Sequence, residues 1–307
     1  MKDQQSLWMK LEKTVGLQKL IALIALIVIF GFFAISSESF RSFDTAVSIL
    51  DASYYIGFLA IGVTFVIITS GIDLSIGTVM MCSAIIGGVL HTKLGWPLWL
   101  SLLAILVIGG VFGLFNGILI AKFGLPPFIA TLGTMMISRG LSSIVSNVQS
   151  VTFPLRGTGE GWYKDLFRTK DNFPTGLIVL IIIAIIAAIV LNKTKIGRYI
   201  FAIGSNKEAT RLSGVNVIKW EAMAYVISGL FAGLAGIAYA ATYSTILPGT
   251  GNGMELDAIA GVVVGGTSLA GGVGSVLGTI IGVFIMSVLK IGLPYIDLQP
   301  HYQLFIT

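Results

Sequence analysis

Cysteine, histidine and charge are all scarce in these 307 residues. The single cysteine, Cys82, excludes a disulfide framework and any metal site built on paired thiolates. The two histidines, His91 and His301, stand far apart, and neither an H-E-x-x-H nor a G-x-S-x-G motif occurs. A hydrolytic or metal-dependent enzyme therefore has no visible constellation. There is also no G-x-x-x-x-G-K-[ST] loop, so the chain lacks the usual means of holding and hydrolysing ATP itself. Charged residues make up 11% of the chain, and the net charge of +5 lies in loops beside apolar segments. Membrane topology explains that placement better than nucleic acid does.

Hydrocarbon is what the chain has in excess. A hydrophobic fraction of 55% and a mean hydropathy of +0.95 lie well outside soluble composition and predict an all-α polytopic membrane protein, read as a single membrane domain over 1–307. At about 20 residues per crossing, spans fall at 19–35, 45–69, 76–92, 98–121, 126–147, 175–192, 218–244, 254–270 and 273–292. The last residues, "HYQLFIT", read as the opening of a further helix cut short by a truncated C-terminus, which makes about ten. The N-terminal leader admits a signal peptide with a small-residue site near Ala34 to Ser36, but its length favours an uncleaved first helix. With the N-terminus inside, eleven of the nineteen Lys and Arg fall on the inner side, as the positive-inside rule requires.

Two loops are long enough to act. The outer one, 148–175, mixes Trp, Tyr, Phe and charge, and reads as an interfacial lid or a docking surface. The inner one, 193–219, is basic at both ends and holds a helix-compatible stretch, "NKEATRLSG", between a capping Asn206 and Gly214. The glycine-rich "GTGNG" at 249–253 reads as an outer loop.

Residues 71–87, "GIDLSIGTVMMCSAIIG", align with 266–282, "GTSLAGGVGSVLGTIIG", at six of seventeen positions. Paired glycine-interrupted segments in the two halves of a membrane protein point to broken helices around a substrate path. Gly109, Gly113 and Gly117, and again Gly274, Gly278 and Gly282, recur at every fourth residue, the spacing that lets helix backbones approach closely. Intramembrane polar residues are few: Asp73, Asn116, Arg139, Glu255 and Asp257. Each is a functional candidate, because a charge in a span is costly. Asp73 admits a path-lining role or a structural ion pair with Arg139. Glu255 and Asp257 admit a path-lining role or a place at a helix N-terminus near the outer interface.

Four stretches then occur in one order: "TSGIDLSIG" (69–77), "PPFIATLGTMMISRG" (126–140), "GRYIFAIGSNKEATRLSGVNV" (197–217) and "ELDAIAGVVVGGTSLAGGVGSVLGT" (255–279). Together they resemble the inner-membrane permeases of ribose/galactose/xylose-type ABC importers, the ribose type most. The resemblance implies a bacterial inner-membrane permease of about ten helices with a cytoplasmic N-terminus, paired with a second copy or a close relative and surrounded by membrane lipid. It implies cytoplasmic ATPase subunits that bind the ATP, so that the permease carries no cofactor, and a periplasmic or lipid-anchored sugar-binding protein that delivers substrate. It also makes 148–175 a periplasmic loop and 193–219 a cytoplasmic coupling loop whose short helix docks on the ATPase. Glu208, Ala209 and Gly214 match the family's E-A-A-x-x-x-G pattern with Arg211 beside them, while Thr210 replaces the second Ala and no I-x-L-P tail follows.

A monosaccharide offers neutral hydroxyls, so its path needs hydrogen-bonding side chains more than a charged cage. The candidates here are Asp73, Ser75, Asn116, Thr131, Thr267 and Ser268. The alternative is an ion-coupled secondary transporter that uses Asp73, Glu255 and Asp257 as ion sites.

Overall fold

A computed structural model describes residues 17–167 and 173–296. In chain order its helices are α1 (Leu17–Ser36), α2 (Phe43–Ile68), α3 (Ile76–Thr92), α4 (Leu98–Gly117), α5 (Pro127–Ser146) and the single turn α6 (Lys164–Phe167). They continue as α7 (Thr175–Lys193), α8 (Lys195–Ser205), α9 (Lys207–Leu212), α10 (Val217–Tyr243), α11 (Met254–Val264) and α12 (Val276–Gly292). Two short strands, β1 (Val151–Thr152) and β2 (Thr245–Ile246), pair antiparallel with Val151 opposite Ile246.

Seven helical stretches among the described residues are long and apolar enough to cross a membrane: α1, α2, α4 with the turn after it, α5, α7, α10, and α12 with its tail. The fold is that of an all-α multi-pass membrane protein. Helix α3, at 17 residues, is shorter. The expected span at 254–270 is helical only as far as Val264, because the chain leaves the helix at Gly265 and reaches φ +94° at Gly266. Helix α11 has 11 residues. It is thus about 16 Å long, roughly half of a hydrocarbon core. The stretch read as the opening of a tenth helix, and His301 with it, lies outside the described residues.

Helix α2 forms the centre. Every residue from Asp51 to Ile68 is buried, as expected of a helix that is apolar on all sides. Ser42 starts it, its hydroxyl accepting from the Thr45 N–H at 3.2 Å. Helices α4 and α10 lie against each other through glycine. A Cβ on Gly109 would lie 2.3 Å from the Gly229 carbonyl oxygen, and one on Gly113 would lie 2.2 Å from that of Tyr225. The second glycine row closes α11 on α12 in the same way, with Gly278 against Gly265 and Gly282 against Gly261. Small residues thus give the close backbone approach that membrane helices use in place of a hydrophobic drive.

The 148–175 loop is anchored to the end of α10. Besides the β1–β2 pairing, the Tyr163 hydroxyl donates to the Ala240 carbonyl at 3.2 Å and the buried Lys164 ammonium donates to the Ser244 hydroxyl. His91 at the end of α3 approaches Glu160 of the same loop at 3.3 Å.

Candidate functional site

The site begins where α2 stops. Thr69 ends the helix with its hydroxyl donating to the Val66 carbonyl at 2.7 Å, and Ser70 follows in the left-handed region at φ +64°. The Ser70 hydroxyl donates to the Ala270 carbonyl at 2.8 Å, and the Gly272 N–H donates to the Ile68 carbonyl at 2.9 Å. The irregular segment between α2 and α3 and the one between α11 and α12 are therefore in contact, each supplying a partner to the other's backbone. An orphan carbonyl at a helix end would otherwise be costly where water is scarce. Gly204 of α8 closes on the same point: a Cβ there would sit 1.7 Å from the Ile68 oxygen.

Beyond the break, Asp73 is almost fully buried at 1% exposure. Its Oδ1 accepts from the Ser75 N–H at 3.1 Å and the Ser75 hydroxyl at 2.6 Å, and its Oδ2 accepts from the Ser228 hydroxyl of α10 at 3.0 Å. The Ser75 oxygen in turn accepts from Asn116 Nδ2 of α4 at 2.9 Å, and the Thr134 hydroxyl of α5 donates to Asn116 Oδ1 at 2.6 Å. One continuous network, Ser228–Asp73–Ser75–Asn116–Thr134, thus ties α10, the break, α4 and α5 together. A π-helical turn, Ile118–Lys122, widens the end of α4 directly after it.

Of the six expected path residues, the structure brings Asp73, Ser75 and Asn116 together. Thr131 is buried on the same helix as Thr134, but its hydroxyl donates to the carbonyl of Pro127 in its own helix at 2.8 Å. Thr267 and Ser268 lie in the second break. The Thr267 hydroxyl is buried with no hydrogen-bond partner among the described residues, and the Ser268 hydroxyl accepts from the Ala270 N–H at 3.2 Å.

Of the two readings open for Asp73, the ion pair with Arg139 does not form. Asp73 takes its three hydrogen bonds from Ser75 and Ser228, and Arg139 donates from Nε to the Gly249 carbonyl at 3.2 Å. That contact draws in the 249–253 segment, which is more than a plain loop. Gly77, at the start of α3, is packed so tightly that a Cβ on it would lie 2.4 Å from the Gly251 oxygen and 2.7 Å from Glu255 Oε2. Glu255 is buried there, with Oε1 accepting from the Gly253 N–H at 2.9 Å. Asp257, one turn into α11, pairs with Lys290 of α12 at 2.5 Å.

The sequence reading missed Thr134, Ser228, and the pairs that extend the network along α5: the Ser138 hydroxyl donates to Thr78 Oγ1 at 2.8 Å, and the Gly249 N–H donates to Ser142 Oγ at 3.0 Å. The signal was available. Thr131, Thr134, Ser138, Ser142 and Ser146 recur at helical spacing, and all five are buried.

At the end of the molecule that carries the basic loop, Asn206 caps α9 by accepting from the Ala209 N–H at 2.8 Å, and Gly214 closes it at φ +81°. Glu208, Ala209 and Arg211 are exposed. The Arg211 guanidinium hydrogen-bonded to Glu208 holds that carboxyl below its ordinary value. Thr210 faces inward, its hydroxyl donating to the Asn206 carbonyl at 2.8 Å. Leu212 is 76% exposed on this short helix, an apolar side chain presented outward.

Residues 45–307 match the family described as branched-chain amino acid transport system / permease component. The ribose import permease of Escherichia coli is 37% identical over 289 residues, covering 93% of this chain and 88% of that protein. The galactose/methyl galactoside import permease of Haemophilus influenzae is 35% identical, covering 92% of this chain and 88% of its own. The xylose transport system permease of the same organism is 31% identical over 95% and 93%. No solved structure gives a significant match. With so much of each chain aligned and the four motif stretches inside the aligned region, the protein belongs to the permease family of the ribose-, galactose- and xylose-type ABC importers.

Proposed function

We propose that this chain is the membrane subunit of an ATP-driven importer that moves a monosaccharide, ribose-like in size, across the bacterial inner membrane. The observation that carries the reading is the match to the ribose import permease at 37% identity over 93% of the chain. Two such chains, or one and a close relative, enclose the path, and cytoplasmic ATPase subunits bind the ATP and dock on α9. A periplasmic or lipid-anchored binding protein delivers the sugar to the face that carries the 148–175 loop, and the N-terminus is cytoplasmic. About ten helices, with the two contacting breaks as an internal repeat, complete this picture.

Transport proceeds by alternating access: closure of the ATPase shifts the balance between outward-open and inward-open arrangements. The network around Asp73 suits a neutral solute, because its side chains meet hydroxyls and amides and no unpaired cation. The ion-coupled reading is less favoured: Asp73 already accepts three hydrogen bonds from Ser75 and Ser228 and Asp257 is paired with Lys290, which leaves it only the buried Oε2 of Glu255.

The test is binding-protein-stimulated ATP hydrolysis and sugar uptake by the reconstituted complex across a panel of monosaccharides. Stimulation and uptake for one pentose or hexose are expected. Uptake by the purified chain alone, driven by a proton or sodium gradient, would overturn the reading.

A further inference from the structure

Helix α7 stands apart from the bundle along one side. Ile178, Ile181, Ile182, Ile185, Ile186 and Ile189 are exposed on it, and between it and the α4–α10 pair runs a groove of about 380 Å³. Phe65, Leu106, Ile183, Val190, Ile227 and Phe231 are among its walls, and no polar residue lines it. Its volume is more than twice the roughly 150 Å³ that accepts a benzene in a dry protein cavity.

The wall on α7 reaches Val190, less than one turn before Lys193. The chain then turns at Thr194, whose hydroxyl accepts from the Ile196 N–H at 3.2 Å, into α8. Helix α8 is amphipathic: it buries Gly197, Ile200 and Ile203 and exposes Lys195 and Arg198. Against α10 it places Tyr199 on Trp220 at 5.0 Å between ring centres, with the Lys219 ammonium 5.1 Å from the Trp220 ring. The apolar groove thus ends on α7 within one turn of Lys193, with Lys195 and Arg198 on the helix that follows and the Tyr199–Trp220 pair and Lys219 beside that helix, an order that matches the tail and negative head of an amphiphile.

Among the described residues, none of Lys193, Lys195, Arg198 and Lys219 is in a salt bridge, whereas the neighbouring Lys207 and Arg211 are paired with Glu221 and Glu208. Those two carboxylates are thus already engaged, and Asp73 is buried. A second copy of the chain docking here would bring no free described carboxylate from its own basic end. An anionic lipid supplies both the missing charge and the hydrocarbon.

We propose that this groove and its basic mouth form a binding site for an anionic phospholipid, with an acyl chain lying between α4, α7 and α10 and the phosphate held by Lys193, Lys195 and Arg198. Tyr199 and Trp220 stand at headgroup level. The site does not depend on which solute the protein carries.

The test uses the full chain in nanodiscs and in mild detergent, with phosphatidylglycerol and phosphatidylcholine as probes and native mass spectrometry as the readout. Retention of phosphatidylglycerol over phosphatidylcholine by roughly tenfold or more is expected from about three basic residues acting together at a surface. The variant Lys193→Gln/Lys195→Gln/Arg198→Gln should lose that preference, while Lys193→Arg/Lys195→Arg/Arg198→Lys keeps it. Ile186→Trp, at an exposed position on the groove wall, should reduce retention of both lipids. The control Arg41→Gln/Lys93→Gln, at the opposite end, should leave the preference intact. An unchanged preference in the triple Gln variant, or an equal loss in the control, overturns the proposal. So does a shift of oligomeric state by Ile186→Trp with lipid retention unchanged, which would make the groove an interface between copies.

Discussion

Asp73 is held by three donors, and variants that change its carboxylate separate its possible roles. Asp73→Ala strands the Ser75 N–H, the Ser75 hydroxyl and the Ser228 hydroxyl in a buried setting, at about 1–3 kcal/mol for each donor that finds no new partner. Asp73→Asn keeps one oxygen for Ser75 and turns its amide toward Ser228, whose hydroxyl can accept as well as donate. The expected outcome is a clear fall in melting temperature for Ala and a small one for Asn, with uptake per folded molecule retained in Asn. A well-folded Asp73→Asn protein that does not transport would instead give the carboxylate a direct part in sugar passage. At this scale the sequence was legible where chemistry is rare. Asp73 and Asn116 stand out because polar groups in apolar runs are costly, and Ser75 follows from its place beside Asp73. Thr134 was legible as part of the buried hydroxyl row on α5, whereas Ser228 was lost among the many hydroxyls that satisfy themselves on their own helix, as Thr131 does, and only its partner across the helix gap distinguishes it.

Among the elements, the glycine rows yield a sharper test than the polar residues. Gly109→Ala drives a methyl against the Gly229 carbonyl and should cost about 1–3 kcal/mol by forcing α4 from α10. Gly133→Ala on α5 meets nothing within 4 Å, and should be neutral or stabilising by up to about 1 kcal/mol through helix propensity. Thermal melting of the two variants in one detergent checks the pair, and similar losses would show that the close approach is not what holds the helices. Helix α9 carries a different expectation. Leu212→Asp, at an exposed position, should leave melting unchanged while reducing sugar-stimulated ATP hydrolysis severalfold, since an exposed apolar side chain is a natural anchor in a partner's pocket. The position of α9 was readable from its Asn206 cap and Gly214 stop. Leu212 was not, because the family pattern directs attention to Glu208 and Ala209 and says nothing of which side faces out.

For the whole molecule, the helices were readable from hydropathy because lipid demands long apolar runs. The short α11 was not, since a helix that ends early in glycine and resumes after a turn has nearly the hydropathy of one that spans. The halves meet along α4–α10 and around α2, and the contact between the two breaks is the polar part of that junction, which can be locked. In Ser70→Cys/Ala270→Cys, thiols are placed on two residues linked by the 2.8 Å hydrogen bond from the Ser70 hydroxyl to the Ala270 backbone carbonyl, and the only native thiol, Cys82, is buried. Oxidation should cross-link the pair, raise the melting temperature and stop uptake, and reduction should restore it. Full uptake in the cross-linked protein would mean that the two breaks stay together throughout the cycle.

The Gly272 N–H bonded to the Ile68 carbonyl has an energetic corollary for that cycle. Any arrangement that parts the two segments leaves an amide and a carbonyl to find water or go unsatisfied, at about 1–3 kcal/mol. A bias of that size weights one population over the other by roughly five- to 150-fold. If the transport cycle parts the two segments, the arrangement described here is the one favoured by that bias, and a partner that drives the cycle must supply at least as much.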